Sequence, residues 1–148
     1  MAAAFEGLLT SGDIWQMTAP EDRWGAHAAM MIPARDYINA MRIRPKIQSA
    51  LDQLFEGVDA LVAPTLSTVA YPNDQSFSEY RRGHHSSRIG AAGNAAGIPG
   101  ITVPNGFGED KMPTGLHLVG RAWSETTLLG IAAEYQHRTD WHEERPDV

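Results

Sequence analysis

Val58-Asp59-Ala60-Leu61-Val62-Ala63-Pro64, followed some 36 residues later by Gly100-Ile101-Thr102-Val103-Pro104, decides the fold class of this chain. The first stretch is nearly continuous in apolar residues, which predicts a strand covered on both faces, and Pro64 closes it. The second is a short β-branched run hemmed by Pro99 and Pro104. Between them, residues 86–96 predict a helix with a face of small side chains: Gly90, Ala91, Gly93 and Ala95. Each glycine weakens an isolated helix by about 1 kcal/mol relative to alanine, so this helix makes sense only where close packing offsets the loss. Strand, helix and strand make a βαβ unit, whose strands are expected to be parallel and right-handed.

Working outward, the clearest helix lies just before the first strand. Tyr37, Ile38, Met41, Ile47, Leu51, Leu54 and Phe55 follow the i, i+3, i+4 spacing of one buried face. Pro33 suits its first turn. Pro45 removes a hydrogen bond to Met41 and predicts a kink, and Gly57 ends the helix. Residues 3–10 read as a short helix stopped near Gly12, residues 13–24 as irregular, and residues 25–31 as a second short helix ending at Pro33. Downstream, Leu116-His117-Leu118-Val119 is a third strand. Ser124 is placed to cap a last helix with Leu128, Leu129, Ala132 and Tyr135 on its inner face. The tail over 138–148 is polar. The fold class is therefore α/β, part of a mixed, mostly parallel sheet flanked by helices, and one incomplete domain spans 1–148 with no separate second domain. Three buried strands leave sheet edges open, which points to missing partner strands. The stretch 64–83 has no periodicity, and a structureless loop of that length in a compact domain is either functional or a sign of something larger.

Composition narrows the function classes. The 148 residues are 43% hydrophobic and 20% charged, a globular balance. The net charge of −6 makes a phosphate backbone a poor partner, so no nucleic acid is expected. The absence of cysteine excludes thiolate zinc sites and cysteine nucleophiles. No apolar run spans a bilayer and the start has no basic n-region, so no membrane partner and a cytoplasmic location are expected. His84-His85 and His137 with His142 lack metal-ligand spacing, so no metal and no cofactor are expected. His84 or His85 with Ser86 or Ser87 invites a small-hydrolase reading. Neighbours in sequence rarely face one another, however, and a helix cap by either serine is the simpler role.

The segment Asn94-Ala95-Ala96-Gly97-Ile98-Pro99-Gly100-Ile101-Thr102-Val103-Pro104-Asn105-Gly106-Phe107 resembles the amidase-signature family, which writes Asn-Leu-Ala-Gly-x-Pro-x-x-x-x-Pro-x-Gly-Phe near its carboxyl end. Met112–Arg121 resembles its Leu-Pro-x-Gly-Leu-Gln-Ile-x-Gly-x, and Ser124–Leu129 its Asp-Glu-x-x-Leu-Leu. Asp36–Arg44 and Asp59–Thr65 match the family's preceding helix and strand in the same order. The resemblance runs from about residue 25 to the end. It implies the carboxyl-terminal part of an amidase or of the amidase-like component of an amidotransferase, using serine acyl-enzyme chemistry. The family's catalytic Ser-Ser-Lys lies in stretches before this region. No Gly-Gly-Ser-Ser is present, and Lys46 and Lys111 do not match the catalytic lysine, so no catalytic residue is transferred and the chain is expected to be inactive alone.

What the resemblance does carry over is substrate binding. Arg44 matches a helix arginine that lies near the substrate carboxylate in the tRNA-amidating branch, and a guanidinium can grip a carboxylate with two bonds. The alternative for Arg44 is an ion pair or a helix-surface charge. Ser87 stands where that branch tends to be acidic, which favours a simpler amidase. Ser67 and Val69 replace common prolines and His117 replaces a glutamine, leaving the substrate class open. Arg81, Arg82, His84, His85 and Arg88 form a local basic patch. The expected partners are the amino-terminal part of the amidase, or self-association through open sheet edges, and a small-molecule amide. The alternative function is a stand-alone, non-catalytic binding or assembly module with an amidase-derived fold.

Overall fold

The computed structural model describes residues 2–80 and 87–146. They fall into two compact units, residues 1–43 and 44–148. In the first, a 3-10 turn over Ala2–Phe5 leads into α1 (Glu6–Ser11), which Gly12 ends in the left-handed conformation at φ 83°. A second 3-10 turn spans Asp13–Gln16, and α2 runs Pro20–Met30. The stretch expected to be irregular is thus partly helical. Pro20 opens α2 from the first-turn position that tolerates its missing N–H, with Glu21 and Asp22 beside it at the positive end of the helix. Leu9, Ile14 and Ala26 make a small core here.

A long helix, α3 (Ala34–Leu54), is continuous through Pro45, and the boundary between the units falls just before Arg44, that proline's neighbour. Of its expected apolar face, Leu51 is buried and Ile47 half-buried, with Phe55 just beyond fully buried, whereas Tyr37, Ile38, Met41 and Leu54 are exposed. Periodicity marked the right stripe, but only its carboxyl-terminal third is packed.

The second unit is built on a three-stranded sheet of order β1-β3-β2, with β1 Leu61–Pro64, β2 Gly100–Phe107 and β3 Pro113–Val119. Both ladders are antiparallel, which corrects the expectation of a mostly parallel sheet. The β1 and β2 strands do run in the same direction, yet β3 lies between them and is antiparallel to each. A crossover leaves room for one intervening strand, and the hairpin following β2 fills it. A four-residue helix, α4 (Phe77–Tyr80), interrupts the loop after β1. Ser76 and Glu79 form a reciprocal cap there: the Ser76 N–H and hydroxyl donate to the Glu79 carboxylate while the Glu79 N–H donates back to Ser76 Oγ. Those bonds hold the Glu79 carboxyl below its ordinary range. Next comes α5 (Arg88–Ala96), and α6 (Glu125–Thr139) closes the chain.

Alternation along the strands sorts two cores. Leu61 and Val119 face α3 and α5, joining Leu51, Phe55 and Ala96 with Ile47, Ile89 and Ile98 packed around them. Leu118 and Val103 face α6, meeting Leu128 and Ala132 with Ile101, Leu116 and Tyr135 alongside. Leu129, expected on the inner face of α6, points away and is exposed. Ser124 occupies the cap position of α6, but its hydroxyl donates to the Arg121 carbonyl (2.7 Å) rather than capping. β1 is not covered on both faces, because it is an edge strand and Val62 is 56% exposed. Among the described residues, nineteen large apolar side chains are exposed and eleven apolar residues are buried. This inverts the balance of an independent core and is the pattern of surface that awaits a covering partner.

Candidate functional site

The polar features of the second unit gather on the α5-facing side of the sheet. Cross-strand neighbours Ala63, His117 and Thr102 form one row, and Gly115 and Pro104 continue into the next. His117 Nδ1 lies 2.9 Å from Thr102 Oγ1. Its ring rests against Gly100, where an added Cβ would come within 3.0 Å of Cε1, and near Gly90 in the first turn of α5. Those glycines let an imidazole fit where the family writes glutamine. Thr65 sits one residue past β1, its N–H donating to the Gly115 carbonyl (2.9 Å). Its Oγ1 is buried with no hydrogen-bond partner among the described residues, an arrangement that costs about 1–3 kcal/mol. Beyond it opens a hollow of about 480 Å³ whose walls include Leu66, Ser67, Thr68, Thr114 and Glu109.

Ser87 is the N-cap of α5, and its Oγ accepts from the Gly90 N–H (3.4 Å). Arg44 lies at the other end of the same helix. Gly97, the left-handed C-cap (φ 75°), has the Arg44 guanidinium so close that an added Cβ would be 2.8 Å from Nη2. One turn along α3, Gln48 Nε2 donates to the Ala96 carbonyl (2.7 Å). Arg44 and Gln48 therefore reach together over the negative end of α5, where cation and donor are both favourable. The two expected substrate-binding residues are not brought together, since nine helical residues separate them by about 13 Å. Arg44 is exposed and forms no ion pair among the described residues, so its guanidinium keeps donors for an outside carboxylate.

No nucleophilic site is assembled among the described residues. Arg81, Arg82, His84, His85 and Ser86 lie outside them, so the basic patch and the paired Ser-His reading have no geometry here. Lys46 is exposed on α3, and Lys111 sits in the β2–β3 turn with φ 56°. Among the described residues no three His, Asp or Glu side chains gather as metal ligands, and no helix is long and apolar enough to cross a membrane. His117 beside Thr102 is the feature that sequence reasoning undervalued. Its signal was present, an imidazole one strand away from a threonine in a glycine-rich setting.

The glycines of the matched motifs now have physical roles. Gly97 ends α5, Gly106 takes φ 82° beneath the Trp141 ring, and Gly115 and Gly120 admit neighbours where a Cβ would collide. A sheet and helix pair held by this set of glycines is the carboxyl-terminal architecture of amidase enzymes. The chain belongs to the amidase family, whose model matches residues 12–129. It is 41% identical over 112 residues to the amidase-type component of the glutamyl-tRNA(Gln) amidotransferase of Chloroflexus aggregans, a match covering 76% of this chain and 23% of that protein. The corresponding protein of Acinetobacter baumannii is 39% identical over the same length and shares. The chain thus spans less than a quarter of the length of these relatives. Among solved structures, an amidase superposes with a TM-score of 0.74 at 23% identity, over 93% of this chain and 32% of that one. The structure of PAM12A gives 0.58 at 31% identity over 85% and 25%.

Proposed function

We propose that this chain is the carboxyl-terminal part of an amidase that hydrolyses a carboxylic amide to acid and ammonia or amine, with the catalytic Ser-Ser-Lys supplied by an amino-terminal part. One observation carries the reading: a family member that covers 23% of its relatives' length holds the family's packing glycines and, among the described residues, no nucleophile with a base. In such an enzyme a neutral lysine takes a proton through the bridging serine and the second serine attacks the amide carbonyl. Backbone N–H groups hold the oxyanion, the C–N bond breaks as the amine leaves with a proton, and water releases the acid. This chain would complete the sheet and one wall of the acyl pocket. The buried, unpartnered Thr65 hydroxyl fits that role, because a polar atom left orphaned in one part is satisfied by the other.

The test is reconstitution. Neither this chain nor the amino-terminal part of the Chloroflexus aggregans relative, the portion before the matched stretch, should hydrolyse glutamine or a neutral amide alone. Their mixture should release ammonia. A soluble, stoichiometric complex that stays inert would defeat the reading. A second reading, part of a tRNA amidotransferase, is favoured by the names of the relatives at 39–41% identity, and hydrolysis confined to glutamine would select it.

Within the reconstituted enzyme, Arg44 and Ser87 are proposed substrate-wall residues. Arg44→Ala should raise KM for a carboxylate-bearing amide about tenfold or more, the worth of a bidentate charged hydrogen bond, and leave neutral amides nearly unchanged. Equal losses on both substrates would instead assign Arg44 to the cap of α5 alone. Arg44→Lys, which keeps the charge and loses the fork, should fall between.

A further inference from the structure

The two edges of the sheet are not equivalent. β2 carries Pro104, breaks register between Pro104 and Phe107, and has Trp141 lying over Gly106 within the break. Proline, a bulge and a covering side chain are devices that blunt a sheet edge against further pairing. Leu61, Val62 and Ala63 of β1 have none of them. The Thr65 N–H bonds inward to Gly115, and the two-residue period of an antiparallel ladder turns Ala63 and Leu61 inward as well. The N–H and C=O of Val62 therefore point outward, and β1 has no neighbour on that side among the described residues. Leu54, Val58, Val62 and Leu66, on and immediately beside this strand, are 58%, 44%, 56% and 54% exposed.

We infer that the outer edge of β1 is the seam at which a strand from the amino-terminal part of an amidase joins this sheet. The inference rests on the reading given under Proposed function and adds where the two parts meet. Its occupant follows from size and chemistry. The relatives carry more than three times as much chain outside the matched stretch as within it. A strand laid on β1 satisfies Val62, and the layer that accompanies it covers the four apolar side chains. The β2 edge offers neither an unguarded run nor a comparable set of exposed side chains.

Amide hydrogen exchange read by NMR, on this chain alone and mixed with the amino-terminal part of the Chloroflexus aggregans relative, tests the seam. Val62 exchange should slow by about tenfold or more in the mixture, with the β2 amides little changed. Val62→Lys replaces an exposed side chain and should keep the circular dichroism of the parent while weakening assembly about tenfold or more; Leu129→Lys, on exposed α6 surface, should assemble normally. A complex that forms and hydrolyses amide with Val62 unprotected, or that binds Val62→Lys as tightly, overturns the seam and leaves the functional reading standing. If no complex forms, both fall. Concentration-dependent protection of Val62 in this chain alone would give the edge to a second copy and overturn the assignment.

Discussion

Phe55→Ala should cost about 3–5 kcal/mol, the range for removing a fully buried aromatic side chain from a core. Phe55 is 1% exposed and packs with Leu51, Ala96 and Val119, so it joins the end of α3 to α5 and the central strand at once. Its backbone carries weight too, because its carbonyl accepts from the Arg121 guanidinium after the end of β3. The cavity would open between three elements that have no other large side chain to collapse into it. A domain of about a hundred residues commonly has 5–15 kcal/mol in total, so urea denaturation should show the second unit near or past its midpoint without denaturant. Phe55→Leu, which keeps most of the volume, should lose far less. An Ala variant with an unchanged midpoint would mean that this core does not hold the unit.

Gly120→Val should be comparably severe for the opposite reason. Gly120 is buried at the end of β3, its N–H donating to the Pro99 carbonyl (3.1 Å). A Cβ there would collide with Ser124 Oγ and stand 3.1 Å from Leu128 Cγ. The serine can rotate, at the expense of its bond to Arg121. Leu128 cannot, being 2% exposed in the core against α6. Overpacking of this kind costs about 1–3 kcal/mol and more where the backbone is pinned on both sides. The check is a double-mutant cycle. Leu128→Ala alone is destabilising, yet with Gly120→Val it should recover part of the loss, a coupling of about 1–3 kcal/mol. Strict additivity would show that the two residues do not share the space.

Physical reasons divide what the sequence made legible from what it did not. The order helix, strand, helix, strand, strand, helix could be read because each segment carries its own period and punctuation, from Leu51 and Phe55 to Gly97 and Pro99. Strand direction could not. Whether β2 meets β1 or β3 is decided by pairing between residues far apart in the chain, and an apolar run such as Leu61–Ala63 looks alike in either arrangement. Tyr37, Ile38 and Met41 continued a genuine helical stripe, but a stripe announces a need for burial and not its fulfilment. At the site, Ser87 could be read as a cap because its role is local. The hold of Arg44 on Gly97 is 53 residues long-range and was invisible, as was the Thr65 hydroxyl, whose isolation exists only in three dimensions.

The placement of β3 between its two predecessors has a consequence on the ribosome. Gly100 faces Val119 across 19 residues, but Leu61 faces the same valine across 58. The longer closure costs about 1 kcal/mol more, so the hairpin forms first and β1 docks onto it. At 5–20 residues per second, β1 waits roughly 3–12 s for its only sheet partner to be synthesised. Throughout that interval both of its edges are bare. A strand this apolar is then most exposed to mispairing while it is being made, and a complementary part already folded nearby would act as its chaperone before acting as its other half.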